Sequence, residues 1–121
     1  SDTNDTDSDA NAAVVVILTA DATTVATCDL VVLSQDYATD AAALAGMATA
    51  GSDTFTMGAT LDDNDAILVA YYTGSHTNIA VATMGAAGTS SDDFTTVETI
   101  LTMQSVDNTA VLNTGDVTIV A

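Results

Sequence analysis

Lysine and arginine are absent from this chain, so its acids have no permanently charged base to meet. Nucleic-acid binding draws most of its affinity from Lys and Arg neutralising phosphates, and no nucleic-acid partner is expected. Anionic membrane surfaces attract polybasic segments, of which there is none. Long apolar runs are lacking too: the longest, residues 12–18, is far too short to cross a bilayer, so no membrane insertion is expected. Cysteine occurs once, at Cys28, which excludes an intrachain disulfide and a thiolate metal cluster within one subunit. It reads as a small buried hydrophobe, with pairing between subunits as the alternative.

Histidine is equally scarce. His76 is the only one, and nucleophilic hydrolysis needs an activating base beside its nucleophile. Transition-metal sites gather two or more His or Cys, which the chain does not supply. No phosphate-binding Walker loop and no dinucleotide glycine fingerprint occurs. Aromatic residues make up 4% of the chain, too few for sugar platforms beside a carboxylate pair. An enzyme is not expected.

What remains is acid and β-forming residues. The chain has 121 residues, enough for one domain with a real core, and its formal charge is −17 from 16 Asp and one Glu. Each carboxylate must face water, cap a backbone, take a proton or meet a cation. Self-repulsion is large at low ionic strength, and calcium or salt relieves it. Hard oxygen ligands are the one resource in excess, which makes calcium the one cofactor to name. Scarce cysteine, no base and abundant Thr, Asp, Ala and Val fit an extracellular or cell-surface protein. A start at Ser1 fits a processed or excised product, or one merely trimmed of its Met.

The centre of the pattern is residues 65–84, where two apolar runs flank Thr73-Gly74-Ser75-His76. Ile67, Val69 and Tyr71 alternate with Leu68, Ala70 and Tyr72, and Ile79, Val81 and Thr83 with Ala80, Ala82 and Met84. This predicts a hairpin with both faces covered, closed by a tight turn in which Gly74 supplies a positive φ.

Upstream, residues 1–11 read as an acidic, flexible lead-in and residues 12–121 as a single β-rich domain. Asp5, Asp7 and Asp9 have the alternate spacing that opens a calcium loop, but the later glycine and glutamate of such a loop are missing. Val14, Val15, Val16, Ile17 and Leu18 form an apolar strand behind that polar leash. It pairs either in its own sheet or, by donation, in a neighbouring subunit's. Residues 25–33 predict a second strand.

The period then changes. Tyr37, Ala41, Leu44 and Ala48 predict a helix over 37–48, capped by Asp36 or Thr39. Phe55 and Met57 alternate with Thr54 and Thr56 in a short strand. Asp62, Asp63 and Asp65 follow, as calcium ligands or as a solvated turn. After the hairpin, Phe94, Val97, Ile100 and Leu101 share a helical face behind a Ser91 or Asp92 cap, which predicts a second helix. Extended pieces are expected at 106–112 and 117–121.

From about residue 29 onward the order of elements resembles the C-terminal region of repeats-in-toxin-type proteins exported by bacterial type I secretion. The residues that carry it are Asp29-Leu-Val-Val-Leu33, the Ala-rich helix, the 65–81 hairpin stretch, Asp92-Asp-Phe94 and Gly115-Asp-Val-Thr-Ile-Val-Ala121. The resemblance implies secretion. The Gly-Gly-x-Gly-x-Asp calcium repeats of that family are absent here.

The expected fold is α+β, mainly β, with about seven short strands in a sheet or sandwich and two covering helices. The expected role is an extracellular structural subunit forming a homo-oligomer or polymer: a filament, layer or matrix. A secretion or surface module and a calcium-dependent adhesin module are the alternatives.

Overall fold

The computed structural model describes residues 15–17, 23–25 and 30–104. Among them are eight strands and one α-helix: β1 (Val15–Ile17), β2 (Thr23–Val25), β3 (Leu30–Asp36), α1 (Asp40–Met47), β4 (Phe55–Leu61), β5 (Ala66–Tyr72), β6 (His76–Met84), β7 (Gly88–Ser90) and β8 (Phe94–Gln104). One 3-10 turn, Ser91–Asp93, leads into β8. The fold is α+β and mainly β.

The central hairpin forms as its sequence dictates. β5 and β6 pair antiparallel from Ala66↔Thr83 to Tyr72↔Thr77. The Thr73 N–H donates to the His76 carbonyl at 2.9 Å, and Gly74 has φ 93°, a conformation that costs a residue with a Cβ. The hairpin is the middle of a five-stranded sheet ordered β1-β3-β5-β6-β8, while β2-β4-β7 form a smaller sheet. β1 and β3, and β3 and β5, run parallel.

Both faces of the large sheet are apolar, as the double alternation requires. Val31, Leu33, Ile67, Val69, Tyr71, Ala80 and Ala82 meet Val25, Phe55, Met57 and Leu61 of the smaller sheet and Ala43 and Met47 of α1 in the main core. On the other face Leu30, Val32, Ala70 and Ile79 form a second cluster, flanked by Leu68 and Met103. The predicted strand over 25–33 is divided: Val25 ends β2 in the smaller sheet, and Leu30 begins β3 in the larger one.

The first helix is shorter than its alanine period predicts. Tyr37 gives its N–H to the Tyr72 carbonyl at 2.8 Å, which holds it to the sheet. Thr39 becomes the N-cap, its hydroxyl accepting from the Ala42 amide at 3.1 Å.

The predicted second helix is a strand, β8. Its register against β6 skips at two places: Thr83↔Thr96 is followed by Met84↔Phe94, and Ile79↔Leu101 by Ala80↔Thr99. Thr95 and Ile100 are therefore extra, bulged residues. The first bulge lets Phe94 and Val97, three apart, both reach the core, and so imitates a helical period. Threonine at 95, 96, 99 and 102 favours the extended form. Ile100 and Leu101, predicted on that buried helical face, are 63% and 54% exposed. The expected lead-in at 1–11, the Cys28 position and the extended pieces expected at 106–112 and 117–121 lie outside the described residues.

Candidate assembly edge and the carboxylate clamps

With no base in the chain, acids brought into the fold are held by hydroxyls and amides. Asp53, 1% exposed, accepts from the Ser34 amide at 2.8 Å, the Ser34 hydroxyl at 2.5 Å, the Gln35 amide at 3.0 Å and the Tyr37 hydroxyl at 2.6 Å. It fastens the end of β3 to the loop before β4. Every buried side-chain polar atom among the described residues has a partner.

Asp40 performs a similar task at the start of α1. It accepts from the Thr99 amide at 2.9 Å, the Thr99 hydroxyl at 2.5 Å and the Tyr71 hydroxyl. Asn78 donates to the Tyr71 oxygen at 3.0 Å, and Thr102 donates to the Asn78 carbonyl oxygen at 2.9 Å. Burial pushes the Asp40 carboxyl up, but the hydrogen bonds from the Thr99 hydroxyl, the Tyr71 hydroxyl and the Thr99 amide outweigh it and hold it below its ordinary value. Burial, with the Asp40 hydrogen bond, pushes the Tyr71 phenol up. The Thr49 amide, donating at 2.9 Å, lowers Asp92. These are clamps, closed on their own partners.

Asp62, Asp63 and Asp65 lie in the turn between β4 and β5. Asp62 and Asp63 are exposed; Asp65 is half-buried and accepts from the Asp62 amide at 2.9 Å. Among the described residues no three acids, histidines or cysteines come together in a way that could hold a metal. Asp5, Asp7 and Asp9 are outside the described residues, as are Val14 and Leu18. Val15, Val16 and Ile17 run beside residues 30, 31 and 32 of their own chain, at one end of the sheet. His76 packs its Nδ1 against the Ser75 hydroxyl at 3.0 Å within the turn.

Among the described residues the other end of the sheet is β8, which pairs with β6 on one side. Glu98 is the only acid among the eleven residues of this strand, in a chain with 17 acids in 121. Leu101 lies across from Ile79, and Met103 flanks the second cluster. The second core therefore runs out to an exposed apolar rim at Leu101, with Ile100 bulged beside it. Sequence reasoning missed this rim because it assigned both residues to a helix core. No signal marked Asp40 or Asp53 either, since a carboxylate's partner is set by tertiary contact.

No helix among the described residues is long and apolar enough to cross a membrane. Compared with protein-family models, curated proteins and solved structures, the chain matches none.

Proposed function

We propose that this chain is an extracellular structural subunit that packs against copies of itself in a filament, layer or matrix. One observation carries the reading: the strand at the end of the large sheet is poor in acid and exposes Ile100 and Leu101, while the chain as a whole is −17. Contacts between like-charged copies are least costly where acids are fewest. A long sheet edge with exposed apolar residues is a template for pairing with another chain.

Donation through Val14, Val15, Val16, Ile17 and Leu18 would require β1 to leave residues 30–32 and a neighbour's strand to enter the same register. Among the described residues no strand would have to leave the outer edge of β8, and on that ground we assign the contact to β8. Nucleic acid has no place in this reading, because no base is present to neutralise phosphate. Calcium is the cation we propose for the acidic exterior, as a counter-ion that lets copies approach.

The test is electron microscopy and light scattering of the purified chain, over a range of protein concentration, with calcium and with chelator in salt. Ordered oligomers or polymers support the reading. A monomer under every condition refutes it.

A further inference from the structure

The bulge at Ile100 divides β8 into two halves with different surroundings. In the first half α1 crosses the strand, and Asp40 already takes the Thr99 backbone amide at 2.9 Å. A partner strand cannot use that amide without displacing the carboxylate. The second half, residues 100–104, contains no acid and carries the exposed Leu101.

We propose that residues 100–104 pair antiparallel with the same residues of a second copy, about a two-fold axis at Thr102. The proposal rests on the self-assembly reading and names one contact of it; this two-fold contact closes at a dimer, and a polymer needs a second contact between dimers. An axis at Thr102 sets Leu101 opposite the partner's Met103, Met103 opposite the partner's Leu101, and Ile100 opposite the partner's Gln104. The Leu101 and Met103 side chains lie on the face of the second cluster, and pairing extends that apolar face from one sheet into the next. A two-fold contact is self-complementary, as a homodimer requires.

This register keeps the two Glu98 carboxylates apart. Glu98 lies four residues from the axis, so the two Glu98 carboxylates stand about 27 Å apart at ~3.4 Å per residue, well beyond a Debye length of about 8 Å. A register centred on Glu98 would set those carboxylates side by side. A basic partner would seek the acidic turns, whereas this segment is neutral, so a second copy is the occupant that fits it. The seam is roughly 17 Å long and buries less than the ~800 Å² per partner of a standard interface. Association is therefore reversible, appears at high protein concentration and strengthens with salt.

Sedimentation equilibrium of the full chain over a concentration series in high salt tests this, with circular dichroism to verify folding of each variant. Wild type should dimerise. L101D and M103D should each weaken dimerisation roughly tenfold or more; L101T, which keeps β propensity, should weaken it less. In a C28S background, T102C should form a covalent dimer under mild oxidation, because the axis brings residue 102 against itself. D63C in the exposed β4–β5 turn should not. If wild type dimerises and L101D dimerises equally well, or if T102C cross-links no better than D63C, the seam is wrong while self-assembly stands. If wild type stays monomeric throughout, both fail.

Discussion

Replacing Asp53 tests whether hydroxyls and amides do for this chain what Lys and Arg do elsewhere. The carboxylate is 1% exposed and accepts four hydrogen bonds, two from the Ser34 amide and hydroxyl, one from the Gln35 amide and one from the Tyr37 hydroxyl. Hydrogen bonds to a charged group are worth about 1.5–3 kcal/mol each, and donors left unsatisfied in the interior cost about as much again. The four share one carboxylate, and Ser34 and Gln35 are exposed enough to regain water, so the contributions do not add in full. D53A should therefore destabilise by about 3–5 kcal/mol, a large fraction of a stability of roughly 5–15 kcal/mol for a domain of this kind. D53N keeps the shape but turns an N–H₂ group toward donors, and should cost about 2–4 kcal/mol. D63N removes the same formal charge from an exposed turn and should stay within about 0.5 kcal/mol. Urea unfolding followed by circular dichroism compares the three at pH 7. Equal midpoints for D53N and D63N would show that Asp53 matters only as one more negative charge, and would refute the clamp.

Asp40 gives a pH signature. Its folded pKa lies below the ordinary 3.8, so its stabilisation is present above that value and is lost as pH falls through the folded pKa. The stability gap between wild type and D40N, measured by urea melts, should close below pH 3.8, and an unchanged gap would refute the assignment. Tyr71 works in the opposite sense: its raised pKa gives stability that is present below the ordinary 10.0 and lost as pH rises through the folded pKa, and Y71F should abolish that alkaline loss in the same melts. Thermal melts should rise with sodium chloride through screening and rise further with calcium at matched ionic strength; identical melts would refute calcium as the preferred counter-ion. An added Cβ at Gly85 would stand 2.1 Å from Thr95 Cγ2, so G85A should cost about 1–3 kcal/mol by urea melt, and T95S should restore part of it.

The hairpin, the Gly74 turn and the Phe55 and Met57 strand were legible because local alternation and tertiary burial agree there, whereas the one strand expected over 25–33 is shared between two sheets. β8 was misread for a specific reason. A strand with a bulge after its first residue places apolar side chains three apart on one face, which a periodicity argument assigns to a helix. The better signal was composition: four threonines, a valine and an isoleucine in eleven residues are β-branched, and they outweigh the spacing. The clamps were illegible for another reason. Asp40 and Asp53 look like any surface acid in sequence, and only the crossing of α1 over β8, and of the 48–54 loop against β3, gives them their donors.

The same division explains how a chain without a base keeps a packed interior. A carboxylate held by hydroxyl and amide donors needs no cation, so Asp40 and Asp53 enter the fold at the cost of a few Thr, Ser and Tyr hydroxyls already on the sheet. Of the remaining described acids, Asp36 ends β3 and Glu98 lies on β8, both exposed, and the others stand in turns. Salt therefore acts on the exterior and leaves the clamps alone, because screening falls on exposed charges and hardly reaches buried hydrogen bonds. Association then depends on salt through the exposed acids and on contact chemistry through residues 100–104. L101T, which adds no charge, should alter the second dependence, weakening dimerisation at every salt concentration while leaving the slope against salt close to that of wild type. A change in slope as large as the change in affinity would mean that exposed acids, and not the apolar rim, form the contact.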